Sequence, residues 1–144
     1  MTSESQPSSV ETTPFSERLG GLVRQAWLDV KSDALNTPVQ SIRPWARFTL
    51  SVSCKLVIDW VFAEITRDGH LARESLSKSY GYIFHQPSLI SVTPTVFIPL
   101  HITPGASAHI GNEEILEGYY YTVLQQDIIK VTPEGKIFGL VMFR

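Results

Sequence analysis

The longest regular pattern of apolar and polar positions runs from Arg47 to Trp60, where every second residue from Phe48 onward is apolar. Successive side chains of a strand point to opposite faces of a sheet, so this alternation is typical of a half-buried antiparallel strand. We predict one long strand over this segment, with its apolar face turned toward Trp27 of the preceding helix. A short helix over Asp59 to Thr66 is the alternative, because the alternation is lost near Val57.

A helix is predicted before this strand. From Phe15 to Ala34, apolar residues recur at spacings of three and four and form one stripe, with charged residues on the other side. Thr13 is the expected N-cap and Pro14 the first helical residue, and Asn36-Thr37-Pro38 ends the helix. The pair Gly20-Gly21 weakens the first turns, which we expect to be frayed or kinked.

The residues before this helix have a different composition. Residues 1–12 are rich in Ser, Thr, Glu and Pro and contain little apolar surface to bury. Such segments do not gain enough from burial to offset the loss of chain entropy, so we predict a disordered N-terminal arm over 1–12. The remainder, 13–144, is about the length of one ordinary domain.

The second half of the chain alternates between short apolar runs and turn residues, which predicts a series of strands. Pro99 belongs on an edge or at a bulge, since it cannot donate a ladder hydrogen bond. Ala106 to Gly118 is predicted as a long mobile loop, Asp68-Gly69 as a hairpin turn, and Thr132 to Lys136 as a turn that closes a hairpin onto the last strand. The predicted strands are Tyr80 to Phe84, Thr95 to Thr103, Tyr119 to Leu124 with Ile128 to Val131, and Ile137 to Phe143.

These elements together indicate an α+β fold. An N-terminal amphipathic helix followed by antiparallel strands is most simply arranged as a helix packed on a curved, mainly antiparallel sheet of five or six strands. If the sheet closed into a barrel, its interior would have room for a small ligand.

Composition narrows the classes of function. The formal net charge is −2, and 18% of the residues are charged, which disfavours a protein that binds nucleic acid by neutralising many phosphates. The one cysteine, Cys54, cannot form an intrachain disulfide, and no signal peptide or membrane-spanning run is visible. We therefore expect an intracellular, cytoplasmic protein, or a virion-associated one if the chain is viral.

Some residues are candidates for chemistry, although the common catalytic and cofactor-binding motifs are missing from the sequence and we expect no cofactor. Asp59 is the carboxylate with the most apolar neighbours, so burial would raise its pKa and suit it to act as a general base. Tyr119 or Tyr121 would be the proton donor of an isomerase or cyclase with a pocket between helix and sheet. The alternative is that Asp59 faces water and the tyrosines only pack.

Two further groups of polar residues are candidates for ligand sites. His85, His101 and His109 suggest a metal site, but their spacing is not that of a tight ligand pair, and we expect none. Arg43, Arg47 and Lys55 form a modest basic strip, since Arg47 and Lys55 share the polar face of the predicted strand, and such a strip suits phosphate or anionic lipid.

The functional hypothesis that best fits these features is a non-catalytic structural or interaction protein that self-associates. Homo-oligomers of this kind form layers, shells or scaffolds, as small viral matrix or coat-type proteins do. The last strand would pair through an open edge, and the N-terminal arm would reach a neighbouring copy or another protein. A small-molecule enzyme and a module for phosphate, an anionic membrane or nucleic acid are the alternatives.

Overall fold

The computed structural model describes residues 9–67 and 71–144 and has an α+β fold, as predicted. The predicted hairpin turn at Asp68-Gly69 lies outside the described residues. The elements in chain order are β1 (Val10–Pro14), α1 (Glu17–Asn36), β2 (Trp45–Phe48), α2 (Val52–Arg67), a 3₁₀ turn (Arg73–Leu76), β3 (Lys78–Phe84), β4 (Ser88–Ile90), β5 (Thr95–Ile102), β6 (Ala108–Ile110), β7 (Glu113–Glu114), β8 (Tyr119–Val123), β9 (Asp127–Val131) and β10 (Ile137–Phe143).

The described strands form two antiparallel sheets. The larger has six strands in the order β1-β8-β5-β10-β3-β2, and the smaller has four in the order β4-β9-β6-β7. Strand β10 lies in the middle of the larger sheet, bonded to β5 on one side and to β3 on the other. The expectation that the last strand offers an open edge for self-association is therefore wrong, because both of its edges are already paired.

The predicted long strand over 47–60 is also wrong beyond Phe48. Strand β2 ends there, and Val52–Arg67 is helix α2, which includes the alternative helix predicted from Asp59. Ser51 is the N-cap, because its hydroxyl oxygen accepts a hydrogen bond from the N–H of Cys54 at 3.1 Å. The buried residues of α2 follow helical spacing; they are Cys54, Val57, Ile58, Val61 and Ile65.

The first helix begins three residues later than predicted. The hydroxyl of Ser16, not that of Thr13, caps the helix by accepting from the N–H of Leu19 at 3.1 Å. The helix then continues through Gly20 and Gly21 without interruption. Its apolar stripe packs on the larger sheet as the sequence predicts, and this burial offsets the cost of the two glycines.

The end of the predicted disordered arm is ordered in the structure. Residues 1–8 lie outside the described part, but Val10–Pro14 pairs with β8 as an edge strand. Val10 is buried, and the threonines beside it suit an extended backbone. A Ser- and Thr-rich composition therefore did not prevent strand formation once a partner edge was present.

Helices α1 and α2 form one antiparallel layer. The guanidinium of Arg18, near the start of α1, lies 5.6 Å from the ring centre of Trp60 in the second half of α2. At the other end of the pair, the Ser53 hydroxyl is hydrogen-bonded to the Asp29 carboxylate. This layer covers one face of the larger sheet, and the residues between them form the helix-side core, which includes Leu19, Val30, Val57, Ile83, Ile98 and Leu140.

The opposite face of the larger sheet carries a second core. Aromatic side chains from the larger sheet pack there against aliphatic side chains of the smaller sheet. This strand-side core includes Tyr82, Phe84, Phe97, Tyr121, Ile110, Ile115 and Ile129. The turn at Thr132 to Lys136 therefore joins strands of two sheets, and does not close the predicted hairpin.

The segment predicted as a long mobile loop, Ala106 to Gly118, contains the short strands β6 and β7 of the smaller sheet. Ala108, Ile110 and Ile115 are buried there, which fixes the segment against the larger sheet. The residues from Tyr119 to Val131 are not one broken strand either, because β8 belongs to the larger sheet and β9 to the smaller.

Pro99 lies at a bulge, one of the two positions predicted for it. Gly139 faces Pro99 and the preceding Phe138 faces His101, so Leu100 is an extra residue in β5. Val96, Ile98 and Leu100 belong to the helix-side core, whereas Ile102 packs against the strand-side core. The extra residue at the bulge reverses the alternation of side chains between the two faces, so Ile102 points to the strand side.

Candidate functional site

The structure does not bring together the residues predicted for acid-base chemistry. Asp59 is exposed on the outer side of α2. Tyr121 points into the strand-side core, across the larger sheet from the helices, and half-buried Tyr119 packs against that same core. The sheet therefore separates Asp59 from both tyrosines.

Tyr121 fastens the segment before β8. Its hydroxyl accepts a hydrogen bond from the N–H of Leu116 at 2.7 Å and donates to the carbonyl oxygen of Glu114 at 3.1 Å. Burial raises the pKa of Tyr121 above its ordinary value of 10.0, and the hydrogen bond from Leu116 opposes part of that rise. Tyr121 therefore stays protonated at neutral pH, and its contacts are those of a structural residue.

Glu64 and Tyr120 form a carboxylate-phenol pair that the sequence interpretation missed. The Tyr120 hydroxyl donates to the Glu64 carboxylate at 2.5 Å, and the Phe15 ring stacks on Tyr120 at 6.4 Å between ring centres. The pair borders a cavity of about 430 Å³ that also reaches Glu11 and Arg67. Alternation along β8 places Tyr120 on the helix side, and this signal would have found it once α2 was known.

The predicted basic strip is divided by the structure. Arg43 and Arg47 both lie beside Trp45, with guanidinium carbons 5.6 Å and 5.4 Å from the centre of its ring. Lys55 is on α2, because the segment predicted as one strand is a strand followed by a helix. Arg47 and Lys55 therefore do not share a strand face, and the basic site consists of the two arginines.

Arg47 is held in place by aromatic rings on β2 and β3. Its guanidinium carbon lies 4.0 Å from the centre of the Tyr80 ring and 5.4 Å from that of Tyr82. One guanidinium nitrogen also donates to the Tyr82 hydroxyl at 3.3 Å. Contacts of this kind fix the plane of the guanidinium while the side chain stays exposed.

Two cavities meet at Trp45. A groove of about 370 Å³ follows the outer edge of β2, between Thr37 to Gln40 on one side and Arg43 and Arg47 on the other. The second, which we call the aromatic cleft, has a volume of about 170 Å³ and lies between the two sheets. The aromatic cleft is lined by Trp45, Tyr82, Phe84, Val141 and Phe143 of the larger sheet and by residues 88–92 and Thr95.

The three histidines considered as metal ligands lie in separate environments. His101 stacks on Trp27 at 4.5 Å between ring centres, whereas His109 belongs to β6 of the smaller sheet. His85 follows β3, and its Nε2 is buried with no hydrogen-bond partner among the described residues. Within residues 9–67 and 71–144 there is no group of three or more His, Cys, Asp or Glu side chains that could hold a metal ion.

Four large aliphatic side chains are exposed on the outer side of the helical layer, and we call them the outer helix face. Their exposed fractions are 62% for Leu28, 52% for Leu35, 76% for Val52 and 51% for Leu56. Leu28 and Leu35 are two turns apart on α1, and Val52 and Leu56 one turn apart on α2, so each pair shares one side of its helix. Leu28 and Val52 lie at the same level, because the residues after them, Asp29 and Ser53, are in contact.

A comparison with protein-family models finds no matching family, and a comparison with curated proteins finds no relative of this chain. In the part of the chain that the structure describes, neither helix combines the length and the apolar character needed to cross a bilayer.

Proposed function

We propose that this protein is a non-catalytic interaction protein that self-associates through the outer helix face. The observation that carries the proposal is the exposure of Leu28, Leu35, Val52 and Leu56 on one side of a helical layer. Helices on the surface of a globular protein ordinarily present polar residues to water, and clustered exposed apolar residues mark contact surfaces.

The charges around these residues support a second copy of the chain as the partner. The exposed residues of the helical layer carry both signs: Arg24 and Lys31 on α1 and Lys55 on α2 are basic, and Glu17 and Asp59 are acidic. A surface that carries both signs can pair with itself when a two-fold axis places the basic groups of one copy opposite the acidic groups of the other.

The size of the surface is compatible with a modest interface. A helix of 20 residues is about 30 Å long, and two helices of ~10 Å diameter side by side present on the order of 600 Å². A standard interface buries about 800 Å² on each partner. We therefore expect a dimer that dissociates on dilution.

Sedimentation velocity from low micromolar to near-millimolar protein tests the proposal. The wild-type chain should shift from monomer toward dimer as concentration rises, and a variant with Leu28→Gln, Val52→Gln and Leu56→Gln should stay monomeric. Glutamine has a helix propensity close to that of leucine, so the helices should remain folded. Leu116→Gln is the matched control, since Leu116 is 46% exposed but lies outside the helical layer.

A wild-type chain that stays monomeric at every concentration would refute self-association. If dimerisation is lost equally in the Leu116→Gln control, the outer helix face is not the contact.

Assembly into layers, shells or scaffolds, as in small viral matrix or coat proteins, requires a second contact between copies. One two-fold contact stops at a dimer, whereas an additional contact elsewhere allows growth. The edge strand β1 is the candidate, because it stands at the end of the strand order of the larger sheet among the described residues. Species that grow beyond the dimer with concentration would support this version, and a limiting dimer would exclude it.

A further inference from the structure

We propose that the aromatic cleft and the two arginines beside Trp45 form a binding site for an organic anion in which a carboxylate or phosphate group is joined to a short apolar chain. The inference is independent of self-association, since the outer helix face contributes no residue to this site. Trp45 and Tyr82 line the cleft, and the guanidinium carbon of Arg47 lies 5.4 Å from the centre of each ring, so a ligand whose apolar part occupies the cleft can place its polar end next to Arg47.

The positive charge at this site is available to a ligand. Within residues 9–67 and 71–144, neither Arg43 nor Arg47 forms an ion pair with a carboxylate, and both side chains are exposed. The contacts that the structure gives their guanidinium groups are to aromatic rings and to the Tyr82 hydroxyl. Aromatic faces attract a cation without neutralising its charge, so the guanidinium groups can still pair with an anion.

Arg47 is also oriented for binding. The Tyr80 ring, 4.0 Å from the guanidinium carbon, restricts the position of the group, and one of its five N–H donors is used for the Tyr82 hydroxyl. The remaining donors lie in the same plane and match the two oxygens of a carboxylate or phosphate. Because the side chain is already ordered, binding costs less entropy than it would for a free surface arginine.

The cleft determines the rest of the ligand. Its walls are mainly aromatic and aliphatic, and its volume of about 170 Å³ is below the ~300–1,000 Å³ typical of sites for drug-sized molecules. It therefore accommodates a short aliphatic chain or a single ring. Leu89 and Val92 line the same cleft with much of their surface exposed, and a bound chain would cover part of that apolar surface.

NMR titration of the indole N–H of Trp45 tests the site with octanoate, octyl phosphate, octanol, inorganic phosphate and vesicles that contain phosphatidylserine. Octanoate and octyl phosphate should shift the Trp45 signal in a saturable manner. Octanol lacks the charge and inorganic phosphate lacks the chain, so each should bind at least about tenfold more weakly, which corresponds to the loss of one charge-assisted contact or of the buried chain.

Variants separate the two parts of the site. Arg47→Gln should weaken octanoate binding about tenfold and leave octanol binding unchanged, because one charge-assisted hydrogen-bonded pair is lost. Arg43→Gln, outside any strand, should act in the same direction without affecting folding. Lys55→Gln is the matched control, since it removes one exposed positive charge from α2, away from the cleft.

Four results would overturn the proposal. Equal affinity for octanol and octanoate would exclude the anion site, and equal affinity for inorganic phosphate and octanoate would exclude the cleft. Equal effects of Arg47→Gln and Lys55→Gln would show that net charge alone is being measured. Binding to vesicles without binding to soluble octanoate would assign the arginines to a membrane surface and also overturn the site, whereas octanoate binding without vesicle binding supports it.

Discussion

The two faces of the six-stranded sheet differ in how they are covered. On the helix side, α1 and α2 pack mainly aliphatic side chains against the sheet. On the strand side, the smaller sheet covers only part of the face, and rings such as Trp45, Tyr80 and Phe143 remain half-buried where the cover ends. Each face therefore exposes apolar surface in a different place: the helix side on the outer surface of the helices, and the strand side at the margin of the smaller sheet.

The largest losses of stability are expected at two neighbouring residues of β5 whose side chains point to opposite faces of the sheet. Phe97 belongs to the strand-side core and Ile98 to the helix-side core, and both are almost fully buried. Phe97→Ala should lower the free energy of unfolding by about 3–5 kcal/mol and Ile98→Ala by about 2–5 kcal/mol. Urea denaturation monitored by circular dichroism measures both. A loss below about 1 kcal/mol for Phe97→Ala would show that the smaller sheet does not contribute to the stability of this face.

Two glycine substitutions, one on each element type, should change the stability of the protein in opposite directions. At Gly139, an added Cβ would lie 2.8 Å from the carbonyl oxygen of Ile98 and would also collide with the Phe97 ring. Gly139→Ala should therefore destabilise the protein by about 1–3 kcal/mol. At Gly20 the nearest atom is 3.6 Å away, so Gly20→Ala should stabilise α1 by up to about 1 kcal/mol. Thermal denaturation should show shifts of opposite sign, and shifts of the same sign would contradict the packing around β10.

The hydroxyl of Tyr121 tests how firmly the segment before β8 is attached. Tyr121→Phe removes the acceptor for the Leu116 N–H and should cost about 1–2 kcal/mol. Since burial raises the pKa of Tyr121 above 10.0, the unfolded chain releases this proton first as pH rises. The stabilising contribution is therefore complete below about pH 10 and is lost as the pH rises through the folded-state pKa.

Stability of wild type and Tyr121→Phe measured from neutral to strongly alkaline pH checks the sign. The wild-type curve should fall more steeply above pH ~10 than that of the variant. Tyr119→Phe is the control on the same strand, because Tyr119 is only half-buried. Parallel curves for wild type and Tyr121→Phe would contradict the assignment.

The smallest expected effect concerns the N-caps of the helical layer. Ser16→Ala and Ser51→Ala each remove a hydroxyl that accepts a hydrogen bond from the first turn of a helix. Each should cost about 1 kcal/mol, and Ser→Gly at the same positions only a few tenths. Chemical denaturation measures the difference. An unchanged stability for Ser51→Ala would contradict the helix start that replaces the predicted strand.

The error in the segment from 47 to 60 has a simple physical origin. Its apolar residues fit period two, but from Cys54 onward they also fit the spacing of three and four that a helix requires. Local pattern could not decide between the two, and tertiary packing on the sheet selects the helix. Ser51, three residues before Cys54, is the capping signal that would have favoured the helix.

The first helix was predictable from its long apolar stripe, and the strands at 80–84, 95–102 and 137–143 from short apolar runs bounded by turn residues. These elements together predicted the α+β class. The smaller sheet was not, since β6 and β7 have three and two residues and depend on partners distant in sequence. The central place of β10 does have a signal in the sequence, because the run from Ile137 to Met142 is apolar on both faces, which is typical of a central strand. Glu64 and Tyr120 could be paired only after α2 was identified.

The central position of β10 has a consequence for synthesis on the ribosome. Strands β3 and β5 are both translated well before β10, yet each is bonded to it in the finished sheet. During translation the nascent chain therefore carries two strands whose shared partner has not yet been made, a state in which unpaired edges promote aggregation. The larger sheet can therefore be completed only after the β10 residues have left the exit tunnel.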